Sequence, residues 1–518
     1  MSSPTDRLVA LAWAAAGAGA CAAMAPLQPN LLEEGFALHV AQRIASGEHL
    51  YRDIVFFSGP VPFEALALLF RAFGDEIAIA RGAVVVLHAL TTGLAFDLAR
   101  RAGAGALSHV AAAALAFAPI LLFPFFSIYF HTTIAFYLIG IAVHAGLRAT
   151  ESTRWGFLAG ATIALVGMTK QSLGAVLAVS LLPAVVLGTA RGGRLARAAT
   201  VSLGLAAMGG FIVAVFAARG DLGALYHGVI ELPLTLGGTF GSAYINLWPP
   251  GELTGDARFN APFYLPNLAQ TLPEFRFVPG FLVVSMTQLA YLLPWVALGL
   301  TAVARATGPL PVGVWVNGAG LLALTANLFP RADWGHLVLS LPPAAVQIVL
   351  LLAVRSRLRR PGRTARRIAL ALGLVAAVTG ARLWSLSRPP SLGPRVPLRP
   401  IGEAAGSIAP AVHYLLERVE EGTPIFVARA EPLIYFATKT RNPTPFEGII
   451  PGFQEEQEEQ IIRGLEEVRY VVMSDVDQPF MSFYSDQLPL VQAYLERHFQ
   501  LAEGFRGDLK PALVFERG

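Results

Sequence analysis

Long apolar runs alternate with short polar segments along most of the chain. Runs long enough to cross a bilayer core of roughly 30 Å occur at eleven places, namely 8–27, 78–98, 106–124, 130–147, 155–170, 172–190, 199–217, 280–303, 310–329, 336–354 and 368–386. The run at 155–170 is short, and its successor begins directly after Gln171, so we interpret the two as a tight hairpin that turns at MTKQS. The pattern predicts a polytopic α-helical membrane protein with about eleven spans.

Composition indicates the same class of protein. Of the 518 residues, 54% are hydrophobic and 14% are charged, whereas soluble domains carry about 25% charged residues. The formal net charge of +4 is too small to indicate a nucleic-acid partner. The single cysteine, Cys21, excludes an internal disulfide and any metal cluster built from several cysteines.

The basic residues predict the orientation of the chain. They cluster after alternate spans, at Arg100 and Arg101, Arg148 and Arg154, Arg191 to Arg197, Arg305, and Arg355 to Arg367. Because basic loops stay in the cytoplasm, the N-terminus is expected to be cytoplasmic. The first external loop (about 28–77), the second large external loop (about 218–279) and the tail from 387 then face the extracytoplasmic side. The first span is expected to be an uncleaved anchor, because its apolar run is long for a signal peptide.

The tail has a different pattern from the rest of the chain. A Pro/Arg linker, RPPSLGPRVPLRP, is followed by helix-like AVHYLLERVEE, QEEQEEQIIRGLEEV and LPLVQAYLERHF, which alternate with strand-like PIFVARA, RYVVMSD and PALVFER. Such alternation favours a small α/β domain. We therefore predict two domains, a transmembrane module over 1–386 and an extracytoplasmic α/β domain over 387–518.

An acidic amphipathic stretch follows the first span. Glu33 and Glu34 open it, and Asp53 lies inside the run YRD. The spacing of its apolar residues predicts a helix that lies at the membrane interface, and a second such helix begins at PFEALALLFRAFG after a turn at SGP. Carboxylates at the edge of a bilayer are costly to desolvate and often mark a functional site. The alternative is that the two glutamates only cap an interfacial helix.

Further polar side chains are predicted to lie near the same membrane face. They are Arg81 in the second span, His131 at the fourth, Lys170 and Gln171 in the hairpin turn, and Arg331, Asp333 and His336 in the run RADWGH. Cations placed in this way could hold a phosphate or pyrophosphate group. The alternatives are that Lys170 reaches to the interface and that Arg331 and Asp333 pair with each other. His88, His109 and His144 are expected to be structural or partly hydrated.

The acidic stretch resembles the first external loop of bacterial GT-C membrane glycosyltransferases, the group that includes protein O-mannosyltransferases and the lipid A aminoarabinose transferase (family 39-like). The shared features are Glu33-Glu34-Gly35, then Ala41, Ile44 and Gly47, then Tyr51-Arg52-Asp53. The hairpin MTKQSLG and the tail run RNPTPFEGIIPG are also similar to features of this group. Two positions depart from it: Glu33 replaces the usual Asp, and Ser58-Gly59-Pro60 replaces a Lys-Pro.

The resemblance implies a GT-C-like fold and a hexosyl- or pentosyltransferase in the bacterial inner (plasma) membrane. The donor would be a sugar on polyprenyl phosphate, and the acceptor a lipid, glycan or protein. Glu33 would be the general base, and Glu34 or Asp53 would orient the acceptor or join Glu33 in holding a divalent cation. Arg81, Lys170 and Arg331 would bind the donor phosphate, while the remaining polar residues would support the acceptor or the site: Tyr51, Arg52, His131, Gln171, Asp333 and His336.

Two other classes of protein stay open. A transporter would carry ionisable or Gly/Pro-broken positions at mid-membrane, but here the polar residues gather at one face and no inverted repeat is apparent. A protein that binds lipid-linked sugars without turning them over is the second alternative.

Overall fold

The computed structural model describes residues 3–236, 264–329, 331–355, 361–401, 408–428, 431–447, 455–474, 488–505 and 512–518. Parts of several predicted features lie outside these residues, including one or two end residues of four of the predicted tail segments. The longer parts are 237–263 of the second external loop, 356–360 of the densest arginine cluster, and the end of the run RNPTPFEGIIPG.

Residues up to 386 form a helical module. Its helices are α1 (Pro4–Met24), α2 (Glu33–Ala45), α3 (Val61–Phe73), α4 (Ile77–Arg101), α5 (Ser108–Ala116), α6 (Ala118–Leu121), α7 (His131–Ala149), α8 (Thr153–Gly167), α9 (Gln171–Gly188), α10 (Arg194–Ala218), α11 (Leu222–Tyr226), α12 (Leu232–Leu236), α13 (Asn267–Thr271), α14 (Gly280–Ala306), α15 (Val312–Ala326), α16 (Trp334–Leu337), α17 (Leu341–Arg355) and α18 (Pro361–Leu386). A π-helical turn, His227–Glu231, lies between α11 and α12.

Every predicted span contains a helix, and the described residues include eight helices long and apolar enough to cross a membrane. The protein is therefore an integral membrane protein. Three of the predicted spans are shorter than this: α15 has 15 residues, α8 has 15 residues, and the third span is divided into α5 and α6. Eight crossings follow from length and composition, and the predicted total of eleven stays a prediction.

The two helices predicted in the first external loop are present as α2 and α3. The prediction that α2 lies at the membrane interface with a polar face was wrong. We expected one face of α2 to meet water at the membrane interface, but His39 and Arg43 on its polar side are buried together with its apolar residues. The reason is that the tail covers this side of the helix.

The tail forms the predicted α/β arrangement around a four-stranded sheet. The strands are β1 (Ile425–Val427), β2 (Tyr470–Ser474), β3 (Phe499–Phe505) and β4 (Ala512–Arg517), and the helices are α19 (Ile408–Leu416), α20 (Leu433–Thr438), α21 (Glu455–Leu465) and α22 (Pro489–His498). The strand order is β1-β2-β4-β3. β1 and β2 are parallel, and β4 runs antiparallel to both β2 and β3.

One strand of this sheet was not predicted. β3 lies at the edge of the sheet, and five of its seven residues are exposed. It therefore lacks the alternation of buried and exposed side chains that identifies a strand in sequence. The helix α20 was missed because all six residues of its sequence, LIYFAT, are buried, so the short run shows no helical period.

Candidate active site around Glu33

The helix α2 begins at the two glutamates, and the side chain of a third residue contacts this end. The Oδ1 atom of Asn30 accepts hydrogen bonds from the backbone N–H groups of Glu33 at 2.8 Å and Glu34 at 3.4 Å. Asn30 thus supplies the side-chain hydrogen bonds at this end of the helix, although it precedes the N-cap position, which is Leu32. The negative charges of both glutamates still lie in the first turn, where they stabilise a helix. The two carboxylates are left to make other contacts.

Glu34 is directed into the protein interior and pairs with Arg81. The Arg81 Nε donates to Oε1 at 2.8 Å and its Nη2 donates to Oε2 at 2.5 Å. The remaining Arg81 N–H groups donate to the carbonyls of Ala25, Leu27 and Gln28. All five N–H donors of Arg81 therefore have protein partners. Arg81 therefore has no N–H group left over for a phosphate, and its predicted role in donor phosphate binding stays a prediction.

Glu33 has different surroundings. Burial raises the pKa of its carboxyl, the negative charge of Asp333 raises it further, and the positive charges of Arg331 and Lys170 oppose this effect. The net result is a pKa above the usual range for glutamate. Glu33 is partly exposed, and a raised pKa is expected of a general base that must hold a proton after taking it from a substrate.

Lys170 lies in the turn between α8 and α9, outside both helices. Burial lowers its pKa to about 8, although Glu33 and Asp333 favour the charged form. The turn is fixed against the first external loop, because the Thr169 carbonyl accepts from Gly59 N–H at 3.3 Å and the Met168 carbonyl accepts from Val61 N–H at 3.0 Å. A Cβ on Gly59 would lie 2.2 Å from the Met168 carbonyl oxygen, so this approach requires glycine.

Gln171 adds a second connection to the same turn. Its side-chain amide donates to the carbonyls of Phe57 at 3.3 Å and Val229 at 3.0 Å. It therefore joins α9 to both external loops.

Asp333 organises the run RADWGH. Its carboxylate accepts from Arg331 Nε at 2.6 Å, and it caps α16 by accepting from the His336 backbone N–H at 2.9 Å. The His336 ring lies 2.7 Å from the same carboxylate. Burial disfavours the ionised form of Asp333, but His336 and Arg331 outweigh this and hold its pKa well below the usual range. The Arg–Asp pair considered as an alternative in the sequence analysis is therefore present.

His131 begins α7 and lies within electrostatic reach of Lys170 and His336. Three buried polar atoms in residues next to these groups have no hydrogen-bond partner within the described residues: Thr132 Oγ1, Asn327 Oδ1 and Trp334 Nε1. Buried polar atoms are usually paired. Thr132 adjoins His131 in the chain and Trp334 adjoins Asp333, so two of these atoms belong to residues next to members of the charged group.

Asp53 belongs to a separate group of side chains. It pairs with Arg52 at 3.1 Å and accepts from the His49 backbone N–H at 2.8 Å. Arg52 and His49 also contact Asp221 at the start of the second external loop, at 3.3 and 2.5 Å. Tyr51 adopts a positive φ of 71°, and its hydroxyl donates to the Ser58 carbonyl at 2.5 Å. These contacts fix the shape of the loop.

The three carboxylates predicted to share a metal ion consequently have three different sets of partners. Within the part of the chain that the structure describes, no group of three His, Cys, Asp or Glu side chains is arranged to hold a metal ion. The Glu33, Glu34 and Asp53 carboxylates do not form one ligand set.

A buried ionic group joins α2 to the tail, and sequence reasoning missed it. Glu447 accepts from Arg43 Nη1 at 2.6 Å and lies 2.6 Å from His39 Nδ1. Burial would raise the pKa of Glu447, but His39 and Arg43 outweigh burial and lower the pKa to about 2. The His39 ring also stacks on Tyr435, with ring centroids 4.6 Å apart. The only available signal was the similarity of the run RNPTPFEGIIPG, which contains Glu447, to the GT-C group.

Comparison with solved structures is consistent with this architecture. The crystal structure of ArnT from Cupriavidus metallidurans bound to undecaprenyl phosphate is similar over 98% of this chain and 97% of that chain, with a TM-score of 0.54 and 13% identity. This chain has the ArnT fold. The apo form of ArnT from the same organism covers 95% of each chain with 14% identity and a TM-score of 0.47. No family model matches the sequence, and no curated protein matches it.

The likeness to ArnT is a likeness of fold. The similarity extends over both the helical module and the tail, because nearly the whole of each chain is covered. At 13% identity it establishes the fold, and the residues described above have to carry the functional argument.

Proposed function

We propose that this protein transfers a sugar from a polyprenyl-phosphate-linked donor to an acceptor at the extracytoplasmic face of the bacterial inner membrane. The observation that carries the proposal is the partly buried Glu33 carboxylate, on which the positive charges of Lys170 and Arg331 act. One group to accept a proton and two to stabilise a phosphate are the elements that such a transfer needs. The ArnT fold supports the proposal, because ArnT binds undecaprenyl phosphate.

In the proposed reaction, the acceptor hydroxyl oxygen attacks the anomeric carbon of the donor sugar. The bond between that carbon and the phosphate oxygen breaks, and its electron pair leaves with the polyprenyl phosphate. Glu33 takes the proton of the acceptor hydroxyl. Lys170 and Arg331 neutralise the negative charge that develops on the leaving phosphate, and the single displacement inverts the configuration at the anomeric carbon.

The other predicted residues take supporting roles in this proposal. Asp333 holds Arg331 at 2.6 Å, and His336 bonds to the opposite oxygen of Asp333 at 2.7 Å. His131 extends this group toward Lys170. Asp53, with Arg52 and Tyr51, shapes the first external loop rather than acting on the substrate.

The test is a transfer assay with purified protein, polyprenyl-phosphate sugars and candidate acceptors. We expect Glu33→Gln to lose transfer by about 100-fold or more, in line with the 10²–10⁴-fold contribution of general base catalysis. Asp53→Asn is the matched control, because it removes a carboxylate of the same loop, and it should retain a substantial fraction of the activity. Equal loss in both variants would contradict the assignment of Glu33 as the base.

The pH dependence provides a second test of the base. Only the ionised form of Glu33 can accept a proton, so activity should rise with pH through the pKa of Glu33. Since that pKa is raised, the rise in activity should occur at a pH above about 4.3, the pKa of an unperturbed glutamate.

An experiment with sealed vesicles distinguishes the enzyme from the two other classes of protein. Substrate flux without chemistry would indicate a transporter, and saturable donor binding without transfer would indicate a non-catalytic binder.

A further inference from the structure

An open groove lies between α1, α5 and α18, away from the Glu33 site. Its volume is about 570 Å³, within the roughly 300–1,000 Å³ of typical small-molecule sites. Its walls include Trp13, His109, Phe117, Arg366, Leu370 and Leu374. Leu370 and Leu374 are 73% and 67% exposed. Because α18 is long and apolar enough to cross a membrane, we expect these leucines to face lipid acyl chains.

One end of the groove is polar and the other is apolar. Arg366 stands near the beginning of α18, and Leu374 lies about 12 Å further along the helix axis at 1.5 Å per residue. Phe117 closes the apolar end, where it lies against Gly373. In the orientation that the basic clusters predict, Arg366 is at the cytoplasmic membrane surface and the apolar end lies at mid-membrane.

The polar end presents hydrogen-bond donors. The Trp13 indole donates to His109 Nδ1 at 3.1 Å. Since an indole nitrogen can only donate, Nδ1 is the acceptor, and neutral His109 carries its proton on Nε2. Within the described residues, no carboxylate pairs with Arg366, whereas the neighbouring Arg100 is paired with Asp6 at 2.8 Å. Arg366 is therefore the cation available at this end of the groove.

We propose that this groove binds an anionic phospholipid of the cytoplasmic leaflet, with one acyl chain between α1 and α18 and the phosphate at Arg366 and His109. The cation selects the charge of the headgroup, and the apolar wall of Leu370, Leu374 and Phe117 takes the chain. The site is separate from the proposed transferase centre, so neither proposal depends on the other.

The test is native mass spectrometry of the detergent-solubilised full chain titrated with phosphatidylglycerol or with phosphatidylcholine of the same acyl chains. We expect a several-fold preference of the wild type for phosphatidylglycerol. Arg366→Gln should abolish the preference. Arg367→Gln removes the same charge from the next position of the helix, which does not line the groove, and should keep the preference. Equal losses in the two variants would show a general charge effect and overturn the proposal.

Two further measurements test the position of the acyl chain. Ala369 also lines the groove, and Ala369→Trp should reduce the binding of phosphatidylglycerol several-fold. Unchanged binding would contradict the proposed lipid site.

Phosphatidylglycerol with brominated chains should quench tryptophan fluorescence less in Trp13→Phe than in the wild type. Equal quenching would contradict the proposed position of the acyl chain. Preference of this site for polyprenyl phosphate over phosphatidylglycerol would also overturn the assignment.

Discussion

Glu34 and Arg81 form a two-point ion pair in the protein interior, at 2.8 and 2.5 Å, with both side chains almost completely buried. The pair joins the start of α2 to α4. Glu33, the adjacent residue, has Lys170, Arg331 and Asp333 as its charged neighbours. The two adjacent glutamates thus have different surroundings, because consecutive helix positions point in directions about 100° apart.

We expect Glu34→Gln to destabilise the protein by about 3–5 kcal/mol, the range found when one partner of a buried ion pair is removed. Arg81 would be left buried without its counter-charge. The measurement is thermal or denaturant unfolding in detergent. The control is Glu64→Gln, which breaks the partly exposed pair of Glu64 with Arg219 and should cost less than about 1 kcal/mol. A small effect of Glu34→Gln would contradict the stabilising role of the pair.

The contact between α2 and the tail should make stability depend on acid pH. The pKa of Glu447 is lowered in the folded protein to about 2, compared with about 4.3 in an unfolded chain. A lowered pKa contributes stability that is fully present above the unfolded value and is lost as pH falls through the folded value. The loss should be on the order of 3 kcal/mol between about pH 4 and pH 2.

Comparison of unfolding curves for the wild type and Glu447→Gln over this pH range measures the effect. The variant should be less stable at neutral pH and should lose less stability on acidification than the wild type. Parallel losses in the two proteins would show that other carboxylates cause the acid sensitivity.

Donor binding should weaken at alkaline pH because of Lys170. Its pKa is lowered to about 8 by burial, so the ammonium that is proposed to bind phosphate is half neutral at that pH. Affinity for polyprenyl phosphate should fall as pH rises from 7 to 9. In Lys170→Arg the alkaline decline should disappear, because a guanidinium remains charged throughout this range. The same decline in the variant would exclude Lys170 as the titrating group.

Gly59→Ala should disturb the site from a distance. The added methyl would lie 2.2 Å from the Met168 carbonyl oxygen, so the turn that carries Lys170 would have to move. We expect a loss of about 1–3 kcal/mol of stability together with weaker donor binding. Gly82→Ala in α4 is the matched control, since a Cβ there would meet nothing within 4 Å. Equal donor affinity in the two variants would refute the connection between Gly59 and Lys170.

The amino-acid sequence by itself determined the class of protein and the location of its helices. Apolar runs of membrane length depend on local composition alone, so each predicted span contains a helix. The two helices of the first external loop and most of the tail's alternating pattern were predictable for the same reason. The edge strand β3 could not be predicted, because its exposed residues show no alternation of apolar and polar positions.

The assignment of roles to charged residues required the tertiary structure. The resemblance gave Glu33 a role, but only the fold shows that Arg81, predicted to bind phosphate, pairs with the adjacent Glu34. Glu447 lies 408 positions from His39, so no local pattern could have connected them. The partner of a charged side chain depends on which distant segment the fold brings within a few ångströms, and sequence spacing contains no information about that distance.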